Sequence, residues 1–213
     1  MSVENLSWKN SEHLELIKRS LKQGKVVVGS SDTVLGLLAA TTLSGFNSLN
    51  AIKKKKKKPY IILIDQIDKL KHFVAKMPEK AVLNLLQNCW PGPLTVLFEA
   101  HPNLPTFLQS HDHKIALRIP QHDGLLAAAA DFEGLFSTSA NLTNEPVPTI
   151  VSQISPQIMN KIDLVVADSY TAVNMGLPST ILDCTVMQPR LVRAGAYDLE
   201  RLEQIYGGKI QKI

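Results

Sequence analysis

The chain predicts a single α/β domain built on a mixed, curved sheet, and three observations carry that expectation. Strand-like and helix-like segments intermingle along its length without the strict alternation of a doubly wound parallel sheet. Its 213 residues, 45% of them hydrophobic, suffice for one well-packed core. No internal repeat and no Pro/Gly/Ser linker long enough to separate a pair of domains interrupts them, so one domain over residues 1–213 is expected.

The elements follow in order. Leu14, Ile17 and Leu21 recur at helical spacing behind a cap at Asn10 or Ser11, and Gly24 ends the pattern, which predicts a helix over Ser11 to Gln23. Lys25 to Val28 reads as a strand, and Gly29 to Thr33 as a turn rich in small hydroxyls before Gly36 and an apolar run. Helices are predicted over Ser44 to Lys53, with Phe46, Leu49 and Ile52 at helical spacing, over Gln66 to Ala75, and after Pro78, a residue suited to a first helical turn. Tyr60 to Ile64 reads as a buried strand. Trp90-Pro91-Gly92-Pro93 breaks the chain ahead of a strand at Leu94 to Phe98. Further strands are expected at Lys114 to Ile119, Leu135 to Thr138, Leu164 to Ala167, Thr180 to Cys184 and Arg190 to Arg193. Further helices are expected at Gly124 to Asp131, Thr149 to Ile162 and Leu199 to Tyr206, the last capped by Asp198 and closed by Gly207-Gly208.

Charge is concentrated. The net charge is +4, but without Lys53 to Lys58 the remainder is slightly acidic, so the basic character is local. Six neighbouring lysines repel one another, and a folded chain tolerates them best beside an anion such as a polyphosphate or a nucleic-acid backbone. A solvated basic loop or a nuclear-import tag is the alternative, weakened by the position of the run between a helix and a strand. Cys89 and Cys184 lie far apart without metal-type spacing and read as reduced core residues. No apolar run approaches a membrane span and the first ten residues lack a leader pattern, so a cytoplasmic protein with no membrane contact is expected.

Several polar residues stand out. In Ile115 to Ile119 the period of two places Arg118 on the face of Ala116, opposite Ile115, Leu117 and Ile119. A guanidinium there suits a carboxylate or phosphate in a concavity, or belongs to an edge strand and reaches solvent. Ser137-Thr138-Ser139-Ala140-Asn141 sets three hydroxyls and a carboxamide at a strand end, where they can read a ligand or serve as a local cap. Pro178-Ser179-Thr180 and Arg193 before Ala194-Gly195 repeat the pattern. His111-Asp112-His113 lacks a third ligand at useful spacing, and no metal site is assigned. No nucleophile elbow is present, which points to chemistry by positioning and charge.

Taken together, these stretches resemble the YrdC-like domain of threonylcarbamoyl-AMP synthases. The SSDTVLGL stretch from Ser30 is similar to that family's Pro-Thr-Asp/Glu-Thr-Val-Tyr-Gly-Leu, and IKKKKKKP from Ile52 to its Lys-x-Arg segment ending in Lys-Pro. WPGPLT from Trp90 matches outright, and RIP from Arg118, STSAN from Ser137, PSTILD from Pro178 and VRAG from Val192 follow in the family's order. The similarity runs from about residue 14 to 195. It implies a twisted open mixed sheet with flanking helices and a basic concave cavity. The implied reaction joins L-threonine, bicarbonate and ATP into threonylcarbamoyl-AMP and pyrophosphate, with Mg2+ carried by the nucleotide. The product would serve modification of tRNA adenosine 37 through a downstream threonylcarbamoyl transferase. By the same resemblance Thr33, Arg118 and Ser179 contact threonine, and Lys53, Lys55, Lys58, Ser139, Asn141 and Arg193 hold ATP. Leu35 stands where the family has tyrosine and is expected to line the threonine end; Lys55 replaces an arginine, and Thr143-Asn144 replaces Ser-Gly. Two competing expectations are a module of this fold that binds tRNA or double-stranded RNA without catalysis, and a paralogue that adenylates a different carbamate.

Overall fold

The computed structural model describes residues 4–53, 59–166 and 176–212. Asn10 is the cap of the first helix: its side-chain oxygen accepts from the backbone N–H of Glu12 (2.9 Å) and His13 (3.2 Å). That helix, α1 (Ser11–Lys22), follows strand β1 (Glu4–Leu6) and ends before Gly24, whose φ of 75° turns the chain into β2 (Val27–Gly29). A hairpin loop leads to β3 (Gly36–Ala40), then come α2 (Leu43–Lys53) and β4 (Ile61–Leu63). The predicted helix at Gln66 to Ala75 is a 3-10 turn over Ile67–His72 instead. Its continuation is prevented because Val74 is taken into a β-bridge with Ala100. Pro78 lies ahead of the next helix, α3 (Lys80–Cys89), rather than in its first turn.

β5 (Leu94–Glu99), β6 (Lys114–Arg118), α4 (Asp123–Ala129) and β7 (Leu135–Ser139) fall close to expectation. The single helix expected over Thr149 to Ile162 is broken into a 3-10 turn at Val151–Gln153 and the one-turn α5 (Pro156–Met159). Pro156 explains the break, since it cannot donate within a helix but fits a first helical position behind the Ser155 cap. The chain then forms β8 (Leu164–Val166), β9 (Thr180–Asp183), β10 (Arg190–Arg193), α6 (Leu199–Tyr206) and β11 (Gln211–Lys212). Asp198 caps α6 and Gly207, with φ of 77°, ends it.

Among the described residues the strands form one open mixed sheet in the order β1-β8-β2-β3-β7-β4-β6-β5-β9-β10-β11. Strand alternation and register divide it into two faces. One presents Val28, Leu37, Ile62, Leu117, Val96, Phe136 and Leu182 to the main core, covered by α2, α3, α6 and α5 through residues such as Leu49, Leu85, Leu202 and Ile158. Over half its width, the other presents Val27, Leu38, Leu63 and Leu135 to Ile17 and Leu21 of α1 and Leu125 and Ala128 of α4. Register continues this second face across β7, β4, β6, β5, β9 and β10 as Ser137 and Ser139, Ile61, Ala116 and Arg118, Thr95 and Leu97, Ile181 and Asp183, and Arg193. The helices are flanking, and beyond α1 and α4 the second face mixes Ser137, Ser139, Arg118, Thr95, Asp183 and Arg193 with apolar side chains.

Phe136 anchors the main core; it is fully buried and in ring contact with Phe46, Tyr60 and Phe107. Phe136→Ala is expected to cost about 3–5 kcal/mol in denaturant unfolding. A loss under about 1 kcal/mol would mean that these rings repack around the gap.

Candidate functional site

The hairpin loop between β2 and β3 is folded around hydroxyls. Ser31 Oγ accepts from the N–H groups of Thr33 and Val34 (both 3.2 Å) and donates to Val34 O at 2.8 Å. Ser30 Oγ accepts from Trp8 Nε1 at 3.0 Å. These bonds turn Asp32 and Thr33 toward β6, where Arg118 meets them. Arg118 is 4% exposed, and β6 lies inside the sheet between β4 and β5, so the edge-strand, solvent-reaching alternative does not hold. Its Nε donates to Gly92 O at 2.9 Å, one terminal nitrogen to Thr33 Oγ1 at 3.0 Å, and the other to Asp32 Oδ1 in a buried ion pair. Asp32 Oδ2 accepts the backbone N–H of Gln121 at 3.1 Å. Among the described residues three of the five guanidinium N–H groups are engaged, one on each nitrogen. Burial pulls the Arg118 guanidinium below its ordinary value and the Asp32 carboxylate opposes it.

Arg193 closes the same corner from β10. Its Nε donates to Ser179 O (3.1 Å), and one terminal nitrogen to Ser179 O (2.7 Å) and Ser179 Oγ (3.1 Å). Ser179 Oγ also lies 2.8 Å from Thr95 Oγ1. Burial first, then the charge of Arg118, pushes the Arg193 guanidinium below its ordinary value. Gly195 makes the approach possible: a Cβ there would sit 2.3 Å from Pro178 O and 2.5 Å from Thr180 N. Arg118 thus holds Thr33 and Asp32, Arg193 holds Ser179, and Thr95, bonded to Ser179 and next to the Val96 that pairs with Leu117, sets the two groups on neighbouring strands.

Ser139 and Asn141 form a second corner, on the β7 side of the sheet. Ser139 Oγ donates to Asn141 Oδ1 at 2.6 Å, and Asn141 Nδ2 donates to Glu145 O at 2.6 Å. Lys53 Nζ donates to Ser139 O at 3.0 Å, to Asn141 Oδ1 at 3.4 Å and to Asn141 O. Its ammonium thus ties α2 to this corner. Asn144, at φ 69°, holds the left-handed conformation suited to the glycine of the family pattern, and asparagine tolerates it better than most residues. Lys55 and Lys58 lie outside the described residues. Leu35 is fully buried in the main core, so it does not line an open threonine site.

Asp32 and Thr95 are the two residues that sequence reasoning did not single out. Asp32 stood in the quoted SSDT stretch, between hydroxyls that drew the attention; Thr95 was the last residue of WPGPLT and read only as the start of a strand. His113 Nδ1 bonds Gln109 Oε1 (3.0 Å) and Asp112 pairs with Lys114 (3.4 Å), a local turn arrangement. Among the described residues no group of three or more His, Cys, Asp or Glu side chains could hold a metal ion, and no helix is long and apolar enough to cross a membrane.

Residues 19–195 match the Sua5/YciO/YrdC family, described as "Telomere recombination". The threonylcarbamoyl-AMP synthase of Pyrococcus abyssi is 28% identical over 197 residues, covering 88% of this chain and 55% of that protein. The Bacillus subtilis enzyme of the same name is 30% identical over 199 residues, covering 88% and 54%. The chain therefore spans about half the length of these curated relatives. The crystal structure of P. abyssi Sua5 complexed with L-threonine superposes with a TM-score of 0.89 at 25% identity, covering all of this chain and 63% of that one. Escherichia coli YciO, with a TM-score of 0.80 at 17% identity over 94% of this chain and all of its own, shares the fold.

Two substitutions test the geometry. Asp32→Ala leaves the buried Arg118 charge without its partner and is expected to cost about 3–5 kcal/mol of stability, measured by chemical denaturation. A loss below about 1 kcal/mol would show that solvent or another anion already serves Arg118. Leu35→Tyr adds volume and a hydroxyl to a filled core and is expected to destabilise by about 1–3 kcal/mol; unchanged stability would mean that the side chain has room to reach the polar face.

Proposed function

The chain belongs to the Sua5/YciO/YrdC family, and from that premise we propose that it forms threonylcarbamoyl-AMP from L-threonine, bicarbonate and ATP, releasing pyrophosphate. The observation that carries the reading is the placement of Arg118 and Arg193, each bonded to a hydroxyl, of Thr33 and Ser179 respectively, on one face of the sheet. The names of the relatives and the L-threonine complex of P. abyssi Sua5 support it. In this reading the two Arg118 N–H groups that make no hydrogen bond among the described residues face the threonine carboxylate, with Thr33 and Ser179 beside it. The terminal nitrogen of Arg193 that makes no hydrogen bond among the described residues faces the phosphates. Lys55, Lys58, Ser139 and Asn141 complete the ATP site, and Lys53 acts on it by holding the Ser139–Asn141 corner.

Bicarbonate takes up a proton and loses water to give carbon dioxide; the neutral amine of threonine adds to that carbon and gives up a proton, so the net products are the carbamate and water. A carbamate oxygen attacks the α-phosphorus of ATP, the bond to the β-phosphate breaks, and pyrophosphate departs. No protein nucleophile is needed: the residues hold two anions in line and keep water from the labile carbamate. Mg2+ enters as part of the nucleotide substrate. The carboxylates of Asp32 and Asp183 are not free for it, the first bonded to Arg118 and Gln121, the second to Lys114 (2.9 Å) and Thr185. The product would pass in the cytoplasm to a transferase acting on adenosine 37 of tRNA.

Incubating the full chain with labelled ATP, bicarbonate and each amino acid in turn tests this. Pyrophosphate release is expected with threonine alone, and release with no amino acid would sink the proposal. Arg193→Ala is expected to weaken ATP binding by about 1.5–3 kcal/mol with the fold retained. Unchanged nucleotide affinity by calorimetry removes Arg193 from the phosphate site.

A further inference from the structure

Thr95 and Ser179 share one hydrogen bond of 2.8 Å between two hydroxyls, and counting hydrogens gives it a direction. Thr95 is fully buried, and among the described residues its hydroxyl has one partner, Ser179 Oγ. If Ser179 donated to Thr95, the Thr95 hydrogen would be left in the core with no acceptor, and a buried donor without a partner is costly. If Thr95 donates, the hydrogen left over is the one on Ser179, the member of the pair that keeps some exposed surface. Ser179 Oγ then accepts twice, from Thr95 and from the Arg193 guanidinium at 3.1 Å, which fills both of its lone pairs. What Ser179 has left is its own hydrogen. Thr95 has no exposed surface and Ser179 keeps 2%, so of the pair only Ser179 can meet a ligand.

We infer that Thr95 is a positioning residue that fixes the polarity of Ser179, so that Ser179 presents a donor, never a lone pair, to an acceptor oxygen of the amino-acid substrate. The inference rests on the reading of this corner as the amino-acid site and adds a direction to it. A Ser179 held as donor favours an anionic carboxylate, whose oxygens accept more strongly than the carbonyl oxygen of a protonated or amidated one. Thr95 does this without touching the ligand, one strand away on β5, where register sets it beside Ile181 of β9.

The test is a double-mutant cycle on the full chain, read as L-threonine affinity by calorimetry, with ATP affinity and melting temperature measured alongside. Thr95→Val keeps the shape and removes the donor, freeing Ser179 to turn its hydrogen elsewhere; L-threonine affinity is expected to fall about tenfold while ATP affinity stays within about twofold. Thr95→Ser restores the donor and is expected to bind L-threonine within about threefold of the parent. In a Ser179→Ala background, Thr95→Val is expected to have no further effect, because the residue it acts through is gone. Full L-threonine affinity in Thr95→Val overturns the inference. So does an equal loss in the Ser179→Ala background, or a failure of Thr95→Ser to rescue, either of which would make Thr95 a packing residue. A parent protein that binds no L-threonine overturns the amino-acid reading itself and this inference with it, a result separable from the others because it precedes any substitution.

Discussion

A guanidinium with 4% of its surface exposed is tolerable inside a sheet only where its charge and its N–H groups are met, and the loop after β2 is shaped to meet them. Asp32 reaches across 86 residues of sequence to Arg118, and its second oxygen fixes the chain just beyond β6 at Gln121. Thr33 takes a further N–H, and Gly92, in the break before β5, takes the last fixed one. One cation thereby locks the β2–β3 loop, the exit of β6 and the entry of β5 into a single arrangement. Ser179 and Arg193 are then placed by β9 pairing with β5 on the same side. Without the ion pair the sheet could still form, but these three connections would have no common reference.

The two faces of the sheet divide the work. The side with Phe136, Ile62 and Leu117 is predominantly apolar, with Thr138 and Thr180 as buried polar members, and carries the larger hydrophobic cluster. The other side is covered by α1 and α4 over only half its width, and beyond them small or polar residues replace large apolar ones: Ser137, Ala116, Thr95. A strand in this region cannot carry leucine and valine on both faces and still present polar groups on one. The alternation Ile115-Ala116-Leu117-Arg118 is the compromise, with bulk on one side and a short side chain beside a cation on the other.

That alternation is also why much of the site could be read from sequence. Period-two patterning assigned Arg118 its face, and strand ends rich in serine, threonine and asparagine marked Ser139, Asn141 and Ser179. The polar strands at the sheet's margins, Glu4–Leu6 and Gln211–Lys212, were not legible because two- and three-residue edges carry no periodicity. Helices were overextended wherever a competing contact took over the backbone, at Val74 through a β-bridge and at Pro156 through a missing donor. Leu35 was misplaced because a substitution in a functional motif was read as functional, whereas its side chain faces the core. Lys53 belonged to a charge run and read as a phosphate ligand; that its ammonium would be spent on the carbonyls of Ser139 and Asn141, 86 and 88 residues away, depends on tertiary placement that no local pattern encodes.

The polar corner joins β2–β3, β5, β6, β9 and β10, strands drawn from the first third of the chain to its last tenth. Asp32, Arg118 and Arg193 stand on the β2–β3 loop, β6 and β10, which strand pairing links only through the intervening strands of the sheet. A partly folded chain therefore has no fraction of the binding site to offer, and whatever settles on these groups opposes the opening of the entire sheet. Occupancy and global stability are linked in this molecule by topology: in a cell, an abundant ligand of this corner would slow the chain's turnover by proteases.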